Sequence, residues 1–426
     1  MNSQTSSWQL KKLEDICEVR KGKFDPKKEP NTIYIGLEHI EQQTGRLLGT
    51  GDSGETTSIK SIFKTGDVLF GKLRPYLRKY WFATFDGVCA TEILPLTPKK
   101  GIDSKFLFYI IQQDKFVDYL DQKSYGTKMP RTSWKEMAEY NINLPPLSEQ
   151  RKIAAILSSV DEAIEKTEAI IEQTEKVKKG LMQQLLTKGI GHTKFKKTEI
   201  GEIPEGWEVV ELQDLANPHD RYAFTGGPFG SDLTAKEYTD EGVQIIQLQN
   251  IKEGYFSNDY QIFTSEAKAD ELLSCNIYPG DIIIAKMAEP VARACIVPNH
   301  AQRFVMASDG VRLSVDKERF VTDYVVYAIN APYFREQAIN NSTGTTRLRI
   351  GLSALRKLKI LIPPYEEQQK IADIMTKISQ KIEAEKTKIE KLTVIKKGLM
   401  QVLLTGKVRV KVDDEVNNPT TKVMGL

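Results

Sequence analysis

Two stretches of the chain carry apolar residues on paired lines of seven-residue spacing. In the first, one line runs through Ile153, Val160, Thr167, Thr174 and Leu181, the other through Leu157, Ile164, Ile171, Lys178 and Leu185. In the second, the lines are Ile371, Ile378, Glu385, Leu392, Leu399 and Met375, Ile382, Ile389, Lys396, Leu403. This is a coiled-coil seam with polar interruptions midway. Those interruptions either limit register and partner choice or are solvent-reaching stems, and the pattern fits both. Each stretch opens after Pro-Pro, which a first helical turn tolerates and which disfavours helix before it. Ser148 suits an N-cap, with Glu149 just inside.

The two stretches are copies. With an offset of 218, Pro145–Thr187 matches Pro363–Thr405 without a gap, 21 of 43 positions being identical. The shared residues include Glu-Gln at 149–150 and 367–368 and Lys-Lys-Gly-Leu-Met-Gln at 178–183 and 396–401. The repeat extends upstream with drifting offset. Gly126-Thr127 pairs with Gly344-Thr345, Gly66-Asp-Val-Leu-Phe-Gly-Lys72 with Gly280-Asp-Ile-Ile-Ile-Ala-Lys286, and Trp8 with Trp207. The order is domain, helix, domain, helix. The boundaries expected are 1–146, 147–190, 191–362 and 363–407, with a tail at 408–426. Chain order makes the two helices antiparallel if they pack, each about 58 Å long at about 1.5 Å per residue. Strand-like runs (Val68–Phe70, Gly242–Leu248, Ile282–Ala285) alternate with helical ones (Phe106–Leu120, Tyr324–Ala338), so the domains are α/β or α+β.

Composition removes several classes of function. With 40% hydrophobic and 27% charged residues, the 426-residue chain is globular. It has no apolar run of membrane-span length and no apolar signal-peptide core, which points to the cytoplasm. Cys17, Cys89, Cys275 and Cys295 are dispersed, as are the four histidines, so no metal site is expected and the thiols read as buried.

Three motifs resemble chemistry that the chain lacks. Gly66–Lys72 begins like a phosphate-binding loop, but Leu73 follows where Ser or Thr would bind Mg²⁺, and its middle reads as strand. Ile362-Pro-Pro-Tyr365 resembles an amino-methyltransferase motif, but isoleucine cannot accept the amine's hydrogen bond. Thr225-Gly-Gly-Pro-Phe-Gly-Ser231 is a turn by default, or a phosphate contact. No nucleophile–base or carboxylate pair stands at a recognisable spacing, so the chain does not read as an enzyme.

Local charge points to nucleic acid more than the net charge of +3 does. Lys72-Leu-Arg-Pro-Tyr-Leu-Arg-Lys79 holds four basic groups and no acid. Gln337–Tyr365 also lacks acids and carries Arg347, Arg349, Arg356, Lys357 and Lys359, opposite Lys123, Lys128, Arg131 and Lys135 in the first copy. Basic loops at equivalent places in both copies suit a phosphate-gripping surface.

These motifs together resemble the specificity subunit of type I restriction–modification enzymes. The pattern is Trp-x-x-x-x-Leu-x-Asp, Gly-Asp with a hydrophobic strand and Lys, Pro-Pro-x-x-Glu-Gln-x-x-Ile-Ala, and Lys-Lys-Gly-Leu-Met-x-x-Leu-Leu-Thr. It covers about residues 7 to 412 in both copies. The resemblance implies two target-recognition domains, each reading one half of an asymmetric bipartite site in double-stranded DNA. It implies two methyltransferase and two restriction subunits as partners, holding S-adenosylmethionine, ATP and Mg²⁺ and performing adenine N6 methylation and ATP-dependent cleavage. No catalytic residue and no cofactor are expected in this chain. Residues expected at DNA are Lys72, Arg74, Arg78, Thr127, Lys128 and Arg131 in the first copy. In the second they are Lys286, Arg293, Thr345, Arg347 and Arg349. The family often has arginine where Lys72 and Lys286 stand. Two other readings are a coiled-coil scaffold carrying two protein-binding domains and a self-contained methyltransferase, the latter opposed by the missing motif.

Overall fold

Both seams fold as single helices of 39 residues, Leu147–Leu185 and Tyr365–Leu403, in the computed structural model. It describes residues 8–28, 31–126, 128–287 and 289–412. Packing divides the chain into two units, and the division runs through the helices rather than at their ends. Unit one holds the residues up to Glu168 and those from Thr387; unit two holds Ala169–Lys386. Each unit therefore contains half of each helix, and within each unit the halves run antiparallel. In unit one Asp161 pairs with Lys396 at 2.7 Å, and in unit two Glu175 pairs with Lys386 at 3.7 Å.

All fifteen apolar seam residues are buried or half-buried. Ile153, Leu157, Ile164, Leu185, Ile371, Met375, Ile382 and Leu403 are buried. Val160, Ile171, Leu181, Ile378, Ile389, Leu392 and Leu399 are half-buried. Ile153, Leu157 and Leu403 join the core of unit one; Leu185, Ile371 and Met375 join that of unit two. Burying each such side chain stabilises by about 1.5–3 kcal/mol.

The helix entries explain the repeated Glu-Gln. Helix begins at Leu147, so Ser148 lies in the first turn instead of capping it. The entry is held by Gln150, whose amide donates to the Pro145 carbonyl at 2.9 Å and accepts from the Asp103 N–H at 2.9 Å. Gln368 does the same with Pro363 and the Val321 N–H, both at 2.9 Å. Glu149 accepts from the Trp8 indole (3.0 Å) and pairs with Arg409 (2.7 Å). Glu367 accepts from the Trp207 indole (3.1 Å) and bonds His192 (2.9 Å). The tryptophans reach these carboxylates because short strands carry them there, Gln9–Lys12 against Asn141–Leu144 and Glu208–Glu211 against Lys359–Ile362.

Each unit is α+β, with antiparallel pairing dominant. Unit one has a four-stranded sheet in the order Cys17–Val19, Ile93–Pro98, Val68–Gly71, Tyr80–Phe82. Unit two repeats that order with Phe224–Gly226, Gly310–Leu313, Ile282–Ala285, Ala294–Ile296. A second, five-stranded sheet in each unit includes one parallel pair, Ile33–Ile35 with Gly87–Cys89 and Val243–Ile246 with Phe304–Met306. The Gly-Asp motifs precede the central strands. Asp67 accepts from Arg20 at 2.5 and 2.8 Å, and Asp281 from Arg312 at 2.6 Å, so each motif anchors an arginine of its own sheet or its margin.

The helical runs expected at Phe106–Leu120 and Tyr324–Ala338 are each broken in two: Ser104–Ile110 and Asp114–Lys123, then Thr322–Ile329 and Pro332–Asn340. At the breaks, Gln112 bonds the Phe108 carbonyl and Asn330 the Val326 and Ala294 carbonyls. Side-chain amides thus bond the last carbonyls of the first helices. The four cysteines are buried and free, and burial pushes the Cys17, Cys89 and Cys295 thiols up to about 12.

Candidate functional site

The residues around Lys72 and Lys286 share one backbone frame. The central strand of each sheet ends just before the lysine, at Gly71 and Ala285. The Lys72 N–H donates to the Glu92 carbonyl at 2.8 Å, and its carbonyl accepts from the Thr132 N–H at 3.1 Å. The Lys286 N–H donates to the Asp309 carbonyl at 2.8 Å, and its carbonyl accepts from the Ile350 N–H at 2.9 Å. Leu73 bridges Arg131 just as Met287 bridges Arg349. Each arginine also closes a hairpin, opposite Tyr125 in one unit and Thr343 in the other. The turns use Gly126 (φ 94°) and Gly344 (φ 101°), a region side chains rarely adopt.

An acid completes each frame. Arg131 lies 3.5 Å from Glu92, and Arg349 lies 2.8 Å from Asp309. A guanidinium beside a carboxylate offers donors for guanine O6 and N7 and an acceptor for cytosine N4. Burial holds the Lys286 ammonium below the ordinary lysine value, with Asp309 opposing and Arg349 adding to the shift. In the Lys286 frame, Asp309 Oδ1 is the oxygen that pairs with Arg349. In the Lys72 frame, Arg74 Nε, Glu92 Oε2 and Thr132 Oγ1 are buried and, among the described residues, have no hydrogen-bond partner. Such atoms are rare and mark where further polar groups complete the bonding.

The structure thus gathers Lys72, Arg74 and Arg131 in unit one, with exposed Lys128 on the hairpin. It gathers Lys286 and Arg349 in unit two, with exposed Thr345 and Arg347 on the hairpin. Thr127 lies outside the described residues. Arg78 is placed elsewhere, paired with Asp114 at 2.7 Å in a separate cleft of about 870 Å³ that the helix residues Asp161 and Lys396 also line. Arg293 is 8% exposed, with its Nε donating to the Ile251 carbonyl at 2.5 Å and its Nη2 to the Leu248 carbonyl at 2.6 Å. Its guanidinium is engaged in holding that loop.

Arg293 and Arg347 both line a cleft of about 1010 Å³ in unit two, together with Phe229, Tyr238, Gln247 and Gln249. Gln247, Gln249 and the two frame acids were not singled out from sequence. For the acids a signal existed: Ala-Thr-Glu at 90–92 and Ala-Ser-Asp at 307–309 repeat the same chemistry in both copies. Among the described residues no group of three or more His, Cys, Asp or Glu is arranged to hold a metal. No helix there is long and apolar enough to cross a membrane.

The model of the type I restriction modification DNA specificity domain matches this chain twice, over residues 5–176 and 204–394. The MjaVIII type I restriction enzyme specificity subunit of Methanocaldococcus jannaschii is 30% identical over 435 residues, covering 95% of this chain and 93% of that one. A chain solved in work on complex assembly and conformational transition of the type I R-M system has a TM-score of 0.60 at 18% identity. It covers 95% of this chain and 99% of its own length. The type I restriction–modification S subunit from M. genitalium has a TM-score of 0.55 at 16% identity, with 95% and 98% covered. Two matched domains and a full-length relative place this chain in the family of type I restriction–modification DNA specificity subunits.

Proposed function

We propose that each unit of this specificity subunit reads one half of an asymmetric bipartite site in double-stranded DNA. The observation that supports this is the repeated frame at Lys72 and Lys286, held by equivalent backbone bonds but surrounded by different side chains. Equal frames give equal ways of approaching DNA, and unequal side chains give unequal sequences read. The lysines and hairpin arginines grip phosphate or guanine edges, and Glu92 and Asp309 accept from amino groups. Two methyltransferase subunits and two restriction subunits assemble on the chain. Adenine N6 methylation and ATP-dependent cleavage belong to them, as do S-adenosylmethionine, ATP and Mg²⁺, so this chain is a non-catalytic subunit.

Methylome sequencing of cells carrying the intact system tests the reading. Replacing residues 1–144 by the corresponding segment of another specificity subunit is expected to alter one half of the methylated motif and leave the other. Changes in both halves would refute independent reading. A mobility-shift titration at stepped salt, with co-purified methyltransferase, separates this role from a protein-binding scaffold. The expected result is sequence-specific binding that weakens steeply with salt. Salt-insensitive or absent binding favours the scaffold.

A further inference from the structure

The segment Thr225–Ser231 of unit two stands outside the repeated frame. In unit one the stretch after the equivalent strand, Gly22-Lys23-Phe24, buries its phenylalanine within the strand Lys23–Phe24. In unit two the loop is fastened at its root instead. The Gly227 N–H donates to the Gly310 carbonyl at 2.8 Å, and a Cβ on Gly227 would collide with the Ala307 carbonyl, so only glycine fits. Pro228 is buried, and the Phe229 carbonyl accepts from the Asp232 N–H at 2.9 Å, closing the turn.

Between these fixings Phe229 is 82% exposed, more than any other large hydrophobic side chain among the described residues. Exposing a phenyl ring to water forgoes the free energy its burial would give. The ring borders the cleft that also holds Gln247, Gln249, Thr345 and Arg347. An apolar ring beside polar, base-reading chemistry fits a nucleic-acid surface: every base has a π-face, and apolar wedges unstack duplex steps. The fastened root has already ordered the loop, which lowers the entropic cost of binding.

We propose that Phe229 is a stacking residue of the DNA interface of unit two, its ring packing on a base face and opening one base step. The proposal rests on the DNA-reading role given above. The test uses the full chain co-purified with its methyltransferase subunits, on duplexes bearing the motif found by methylome sequencing. 2-Aminopurine is placed at successive positions of the half-site assigned to unit two by the domain exchange. Wild type and Phe229→Trp are expected to change the fluorescence at one position. Phe229→Ala is expected to lose that signal and about tenfold in affinity, with the salt slope unchanged. Unchanged affinity and signal in Phe229→Ala overturn the proposal, as does the lack of a position-specific signal in wild type. Loss of methyltransferase co-purification in Phe229→Ala overturns it in favour of a protein contact. If wild type shows no sequence-specific binding at all, the DNA reading itself falls, and the proposal with it.

Discussion

Arg131 and Arg349 occupy the same place in their hairpins but are held differently, 3.5 Å from Glu92 in one case and 2.8 Å from Asp309 in the other. Substituting each singly by alanine is expected to weaken binding by about 1–3 kcal/mol and to relax the motif in one half-site only. Methylome sequencing and binding titrations on duplexes mutated in each half check both parts. Arg312 serves stability instead. It is 6% exposed in its side chain and spans Asp281 at 2.6 Å and Asp220 at 2.7 Å. Arg312→Ala leaves buried Asp281 without its cation, and a loss of about 3–5 kcal/mol in chemical denaturation is expected. At this scale the sequence was a partial guide. Runs of Lys and Arg marked the hairpins, but nothing in them separated Arg131 from Arg78 or Arg293. Those fates depend on Asp114 and on the carbonyls of Leu248 and Ile251, partners distant along the chain.

Among elements, the hairpin at 343–349 depends on its glycine. A Cβ at Gly344 would stand 2.6 Å from the Arg347 carbonyl, at a φ of 101°. Gly344→Ala is expected to cost more than about 1 kcal/mol locally. It should reduce affinity for the unit two half-site while circular dichroism shows the fold retained. Gly126→Ala is expected to act likewise on the other half. Heptad spacing revealed the long helices because their burial repeats locally. It also hid a detail: Ser148 looked like a cap, whereas Gln150, reaching Pro145 and Asp103, holds the entry. The breaks at Gln112 and Asn330 escaped notice because the segments on both sides are helical in character and each carries apolar residues that reach the core. In unit one no proline marks the break.

At the scale of the whole molecule, the internal repeat was the strongest signal, and it carried the order of sheets, helices and hairpins in both units. The units divide within the long helices, so those helices are continuous where the chain passes between them. Inserting seven residues into each, in register, adds about 10 Å of helix, the length of about three base pairs. The expected outcome is a methylated motif with unchanged halves and a longer unread spacer. An unchanged spacer would show that the helices do not set it.

Apart from its turn glycines and its arginine–acid pairs, the frame at Lys72 and Lys286 is held by main-chain bonds, which do not depend on side-chain identity. Substitutions at the exposed hairpin positions, such as Lys128, Met129, Thr345 and Arg347, therefore escape the usual conflict between innovation and folding. Under the DNA-reading role proposed above, a lineage can drift across many preferences at these sites while its scaffold stays above the stability threshold. The same freedom makes them the natural positions for a randomised library selected for new targets.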